Sequence, residues 1–405
     1  MCKSANTLHS IIALMAVYFD NSATTQVDPD VLEAMLPYFT EKYGNASSLH
    51  SFGSEAFAAI VKARKQVADL LKAVPRDVIF TSGGTESDNL AIQGAAFYHK
   101  KEKNKVITSV IEHPAVLNTC HFLEKCGFEV VYLPVDEEGF VSEEDLKEAV
   151  DSNTSLVTIM AASNEIGTIQ PIESLAEIAK DAGALFHTDA VQAAGKIPID
   201  FADSSVDMIS ISGHKIHAPK GIGALLVKEG VSIRPLMYGG GHEWGMRPST
   251  ENVPGIVGLG KACDICMSNM DEDVQQMTDI RDFIIDTTLD SIEGVYLNGP
   301  RENRLCNNAN FRFDYIDGES LILYLDMEGI AASTGSACST GSTEPSHVLR
   351  ALGLAQIQCR GSLRLSLSRF NVMSEAEYFA SVIPSVVEKV RAMSPLGDKK
   401  NAIRS

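Results

Sequence analysis

The chain has 405 residues, of which 45% are hydrophobic and 21% charged, enough to bury two sizeable cores and too apolar for a disordered protein. Its formal charge of -19 would repel a phosphate backbone or an anionic lipid surface, which argues against nucleic acid and membrane as direct partners. No apolar run reaches the ~18 residues that a membrane span needs.

The first apolar run, Ile11 to Val17, has no small-residue cleavage site after it and reads as an extension before the first strand, with Met15 as an alternative start. Eight cysteines are too few and too scattered for a disulfide framework, so reduced thiols and a cytoplasmic location are expected. Cys263 and Cys266 form a C-x-x-C inside a helix-like stretch. No second pair stands at zinc-site spacing, so no metal site is expected.

From "DVIFTS" onward, apolar runs alternate with amphipathic ones: "ESDNLAIQGAAFYHKK", "KVITSV", "AVLNTCHFLEKCG", "EVVYLPV", "SLVTIMAAS", "IESLAEIAKDAG", "ALFHTDA", "VDMISIS" and "IGALLVK". Strand, helix, strand in repetition predicts an α/β domain over residues 20–263, a mostly parallel central sheet with helices on both faces. After Gly260 a long helical stretch leads to shorter strands at "NNANFRFDYI" and "GSLRLSLSRF". These predict a smaller α+β domain built from residues 1–19 and 264–405. Only the tail "GDKKNAIRS" has the composition of a disordered segment.

Ligands of parallel sheets bind beyond the carboxyl ends of the strands, so the polar residues after each apolar run matter most. Gly83, Gly84 and Thr85 open a helix, where backbone N–H groups and the helix dipole suit a phosphate; a tight turn with Thr85 as a helix cap is the plainer reading. His113 follows the next strand, where a lone histidine is more often a satisfied structural residue. Asp189 ends a run apolar enough to be buried, and a carboxylate there needs a cation or a donor. Asn164 and Gln192 add neutral donors and acceptors, and Lys215 follows Ser212 and His214 where a strand ends.

A phosphate site, an imidazole, a buried carboxylate and a lysine together match the needs of pyridoxal 5'-phosphate. That cofactor uses a lysine for its Schiff base, a carboxylate to keep the pyridine nitrogen protonated and an anion site for its phosphate. A dinucleotide site would want G-x-G-x-x-G after the first strand, and none occurs there.

The motifs "SGHKIHAPKGIGALLV", "HTDAVQ" and "SNEIG" resemble the cysteine desulfurases of the NifS/IscS type, within the class V aminotransferase family of fold-type I pyridoxal phosphate enzymes. The likeness runs from Tyr18 to Asp398, departing at Ala46 and Ala218, where relatives more often carry proline and glycine. It implies that Lys215 binds the cofactor and moves the substrate's α proton, that His113 stacks on the pyridine ring, that Asp189 pairs with its nitrogen and that Gln192 bonds its phenolic oxygen. It further implies that Thr85, Ser212 and His214 hold the phosphate, and that Thr250 of "GGGHEWGMRPST" reaches the phosphate of a neighbouring subunit in a homodimer.

The segment "ASTGSACSTGSTEPSHVLRALG" surrounds Cys338 with Gly335, Gly341, Ser, Thr and Ala, a composition that predicts an exposed, mobile loop. On composition alone the thiol is a surface cysteine; beside the lysine site it becomes a nucleophile that takes sulfur from L-cysteine as a persulfide and releases alanine. Substrate binding needs a cation for the carboxylate, and "SLRLSLSRF" offers Arg364 and Arg369; the resemblance implies that Arg364 is the clamp, assisted by Asn45 and Asn164, with Arg369 structural. An iron–sulfur scaffold or another sulfur-acceptor protein is the implied partner. Two alternatives share the fold, a selenocysteine lyase and a class V aminotransferase, and a third reading is a non-catalytic sulfur-trafficking scaffold.

Overall fold

The structure is a computed structural model that describes residues 16–334 and 345–394. Met15, the segment holding Gly335, Cys338 and Gly341, and the tail "GDKKNAIRS" beyond Leu396 lie outside the described residues. The chain divides into two compact units, residues 24–164 with 168–270, and the remainder, to which Glu165–Gly167 belong.

The larger unit holds a seven-stranded sheet. Its strands are β2 (Val78–Thr81), β3 (Lys105–Ser109), β4 (Glu129–Leu133), β5 (Thr154–Thr158), β6 (Leu185–Asp189), β7 (Met208–Ser212) and β8 (Gly223–Val227), in the order β2-β8-β7-β6-β5-β3-β4. β8 pairs antiparallel with both of its neighbours, and every other pair is parallel. Helices cover both faces of this mixed sheet, which explains why β2, β3, β5 and β7 are buried at every residue. The chain runs outward from β3 to β4, then returns through β5, β6 and β7. The reversal lies between β3 and β5, the switch point at which doubly wound sheets bind ligands.

The helices of this unit include α1 (Ser51–Leu70), α2 (Gly84–His99), α3 (Pro114–Lys125), α4 (Glu143–Ala149) and α5 (Ile172–Asp181). α3 begins with a proline at its first position and is capped by His113, and α4 is capped by Ser142, each an arrangement that satisfies orphan N–H groups. On the sheet, Leu90, Ala91, Ile92 and Ala95 of α2 pack with Val106, Leu156, Met208 and Leu225 into one core. Helix α6 (Val253–Ser291) begins in this unit and ends in the other.

The smaller unit has an antiparallel sheet in the order β12-β10-β9, formed by β9 (Val295–Leu297), β10 (Asn308–Phe313) and β12 (Ser362–Ser366), and a parallel pair of β1 (Val17–Tyr18) with β11 (Ile330–Ala331). Its core gathers Phe19, Phe311, Leu363, Leu365 and Phe379 with residues of α6, α7 (Gly318–Met327) and α8 (Met373–Met393). Phe19 and Phe379 meet edge to face at 6.2 Å, a favoured aromatic geometry. No helix among the described residues is long and apolar enough to cross a membrane.

Candidate active site

Four strand ends of the larger unit converge on one cluster. β7 ends at Ser212 and tightens at once into a 3-10 turn, Gly213–Lys215, so Lys215 is the residue that the end of a buried strand presents. The turn is fastened on both sides: Gly213 N–H donates to Ile222 O at 3.0 Å and Thr25 N–H to His214 O at 2.9 Å. Gly221 turns the chain back with φ +84°, a conformation that suits glycine. At Gly223 a Cβ would lie 2.7 Å from Gly83 Cα, so only glycine lets β8 pass that close.

Asp189 ends β6 and is buried. Burial raises its pKa, while nearby His113 and Lys215 and the Val191 N–H, which donates to Oδ1 at 2.9 Å, pull it down. His113 stands at the end of the β3 connection as the cap of α3. Its Nδ1 accepts the Ala115 N–H at 3.1 Å, which leaves the proton of the neutral ring on Nε2. One side-chain atom each of His113, Asp189 and Asp88 lies within 4.8 Å of the others.

The turn before α2 is a cradle. Gly83 has φ +153° and caps the helix with no side-chain hydrogen bond, so the first N–H groups of α2 take no cap. A Cβ on Gly84 would press within 2.7 Å of Val191 Cγ2 and 3.5 Å of Ser212 Cβ, which brings the helix start against the ends of β6 and β7. Thr85 is exposed beside it and lines a cleft of about 460 Å³ with Asn89, His113, Asn118 and Phe122. His214 bonds Thr24 Oγ1 through Nδ1 at 3.1 Å, and burial, with Lys215 and Lys220, pushes its pKa down to about 4. His214 is therefore a neutral polar group near neutrality.

Gln192 is buried in the turn after Asp189, and Asn164 is half-buried in the turn after β5. Asn45 and Thr250 are exposed, and no hydrogen bond among the described residues ties either to this cluster. Asn45 Oδ1 accepts the Ser47 N–H of its own turn at 2.9 Å. Cys263 and Cys266 are two buried helix thiols, and burial pushes Cys263 well above the ordinary thiol range, which suits packing and not thiolate chemistry.

Arg364 belongs to the smaller unit, on β12, and is 2% exposed. Its guanidinium pairs with Asp20 at 2.9 Å. Its backbone exchanges hydrogen bonds with Ser333, at 2.6 and 3.2 Å, just before the segment that carries Cys338. After that segment Ser346 donates to the buried Glu165 at 2.5 Å, so Ser333 and Ser346, described residues to either side, are both held within this unit. Arg369 lies 3.9 Å from Asp273.

Beneath the cluster lie groups that the motifs do not announce. His187 of β6 is fully buried between Thr158 Oγ1 at 2.8 Å and Ser210 Oγ at 2.9 Å, and burial lowers its pKa to about 3. Glu112 is buried next to His113; burial raises its pKa to about 8 in spite of hydrogen bonds from Ser109 and Met160 N–H. Asp88 stands on the buried side of α2. A helical period through Asp88, Ala91, Ile92 and Ala95, all buried, puts a carboxylate on an apolar face and was the available signal.

The sequence profile of the class-V aminotransferases matches residues 17–379. The chain belongs to the class-V aminotransferase family. Among its relatives are proteins named cysteine desulfurase IscS: 49% identity with that of Dictyoglomus turgidum, over 94% of this chain and 96% of the relative, and 51% with that of Methanosarcina thermophila, over 95% of each. A solved NifS-like protein superposes with a TM-score of 0.87 at 41% identity, covering 93% of this chain and all of that one. The structure described as SspA in complex with cysteine gives 0.78 at 40% identity, over 88% of this chain and all of that one. The architecture is thus the fold-type I arrangement of this family.

Proposed function

We propose that the protein is a pyridoxal 5'-phosphate-dependent cysteine desulfurase that converts L-cysteine to L-alanine and passes the sulfur through Cys338 to an acceptor protein. One observation carries the reading: the pKa of the buried Asp189 carboxylate, at the end of β6, is lowered by both His113, which follows β3, and Lys215, which follows β7. The relatives named cysteine desulfurase support the same assignment.

The donor set fits the cofactor. The uncapped start of α2 at Gly84 and Thr85, with Ser212 against it and neutral His214 in the next turn, suits a phosphate. Asp189 suits the protonated ring nitrogen, His113 a ring face, Gln192 the phenolic oxygen and Lys215 the aldehyde. When bound, pyridoxal phosphate supplies an electron sink conjugated to the substrate's α carbon.

The rest is the work of this chain. Asp189 holds the ring-nitrogen proton in place through its charge, and Val191 N–H fixes that carboxylate's direction. Lys215 Nζ moves the proton of the substrate's α carbon. Arg364, with Asn45 and Asn164, binds the substrate carboxylate, where the planar fork of a guanidinium suits two oxygens. The thiolate of Cys338 attacks the substrate sulfur; the S–S bond forms as the C–S bond breaks, and its electron pair stays on carbon, which takes up a proton. Cysteine and one thiol thus give alanine and one persulfide, with no external redox partner.

The persulfide is then delivered to an iron–sulfur scaffold or a related sulfur acceptor. A homodimer, in which Thr250 completes the neighbour's phosphate site, and action in the cytoplasm complete the proposal. The test is the visible absorption of the purified protein: a cofactor band in the wild type that is absent in Lys215→Ala supports the reading, and a colourless protein that pyridoxal phosphate cannot reconstitute overturns it.

A further inference from the structure

Asp88 is the fifth residue of α2, one turn inside the end that suits a phosphate, and it is 1% exposed. The groups around it come from three elements. From β6, His187 Nε2 stands 3.8 Å from Oδ1, and Asp189 lies within the 4.8 Å cluster with His113 of the β3–α3 connection. From β7, the Ser210 hydroxyl bonds its side chain, and Glu112 acts on it from beside His113. Asp88 Oδ1 has no hydrogen-bond partner among the described residues.

Two carboxylates this close in a dry site do not both ionise. The surroundings decide between them. Asp189 receives a backbone N–H and the influence of His113 and Lys215. The influences on Asp88 are burial, two further carboxylates and one hydroxyl, and its histidine neighbour is held neutral by burial.

We propose that Asp88 is a positioning residue of the cofactor site: a buried carboxylic acid that keeps its proton, leaves the negative charge of the pair on Asp189, and ties the phosphate end of α2 to the strands carrying Asp189 and Lys215. Burial, Asp189 and Glu112 all raise the Asp88 pKa well above the ordinary range, in keeping with this. The inference rests on the pyridoxal phosphate reading, and it explains why a helix of the phosphate site carries an acid on its apolar face.

The test has two arms. Infrared spectra of the cofactor-free protein near neutral pH should contain a protonated-carboxyl carbonyl stretch that Asp88→Asn removes and Asp189→Asn leaves. The dissociation constant of pyridoxal phosphate, followed against pH, should be the same within about twofold in Asp88→Asn, whose neutral amide replaces a neutral acid. It should weaken about tenfold in Asp88→Leu, with the acid limit of binding displaced, since a buried hydrogen-bonded group is then lost. Three results overturn the proposal: no carboxyl signal lost from Asp88→Asn, an acid limit that moves in Asp88→Asn, or Asp88→Leu behaving as wild type. If Asp88→Leu does not fold, the asparagine variant and the infrared arm still decide. A wild type that binds no cofactor would sink the pyridoxal phosphate reading, while the infrared arm still reports on Asp88.

Discussion

The Val191 N–H donates to Asp189 Oδ1 at 2.9 Å, and the same residue's Cγ2 stands 2.7 Å from where a Cβ on Gly84 would sit. One residue therefore couples the direction of the buried carboxylate to the closeness of the phosphate cradle. Gly84→Ala must push Val191 aside, at about 1–3 kcal/mol for an overpacked contact. The expected result is a folded protein whose affinity for pyridoxal phosphate falls about tenfold, measured by dialysis and absorbance; unchanged affinity would show that the cradle has slack.

Glu112 predicts a loss of stability towards alkaline pH. Its folded pKa is raised to about 8 from an ordinary 4.5, burial being the main cause, so the unfolded chain gives up the proton first. The contribution is fully present below about 4.5 and is lost as pH rises to about 8, by an amount on the order of a few kcal/mol. Urea midpoints measured between pH 6.5 and 8 should decline in the wild type and stay flatter in Glu112→Gln. Parallel curves would contradict the assignment.

His187 predicts the opposite slope at acid pH. Burial lowers its folded pKa to about 3 from 6.5, so the neutral ring stabilises the fold above 6.5 and that stability is lost as pH falls to about 3. Below about 4.5, where the two effects no longer oppose one another, His187→Gln should flatten the acid limb of the denaturation curve. A wild-type acid limb in this variant would place the sensitive group elsewhere.

Arg364 is buried with Asp20 at 2.9 Å. Arg364→Lys keeps the charge and loses the fork, so kcat/KM for cysteine should fall about 10- to 100-fold, mainly through KM. Substrate saturation curves check this, and an unchanged KM would remove Arg364 from the substrate carboxylate.

The strand-end residues were legible because each depends on a local event, an apolar run giving way to a polar residue; Lys215, Asp189 and His113 are all of this kind. What depends on distant pairing was not. β8 carries the same apolar pattern as its neighbours yet runs antiparallel to both. Glu165–Gly167 leave the larger unit because Asn308, Asn310 and Arg304 hold their carbonyls, and those partners lie 138 or more positions away in sequence. Asp88 hid for another reason: its neighbours in sequence are polar, and only the helical period reveals its buried side.

In the proposed mechanism Cys338 receives the substrate sulfur, and a single turnover with isotope-labelled cysteine addresses that role directly. After one equivalent of substrate, mass spectrometry of the Cys338 peptide should show one added substrate sulfur alongside one alanine, and Cys338→Ser should retain the cofactor band yet release almost no sulfide. Alanine formed at the wild-type rate by Cys338→Ser, or labelled sulfur found on another cysteine, would contradict the account.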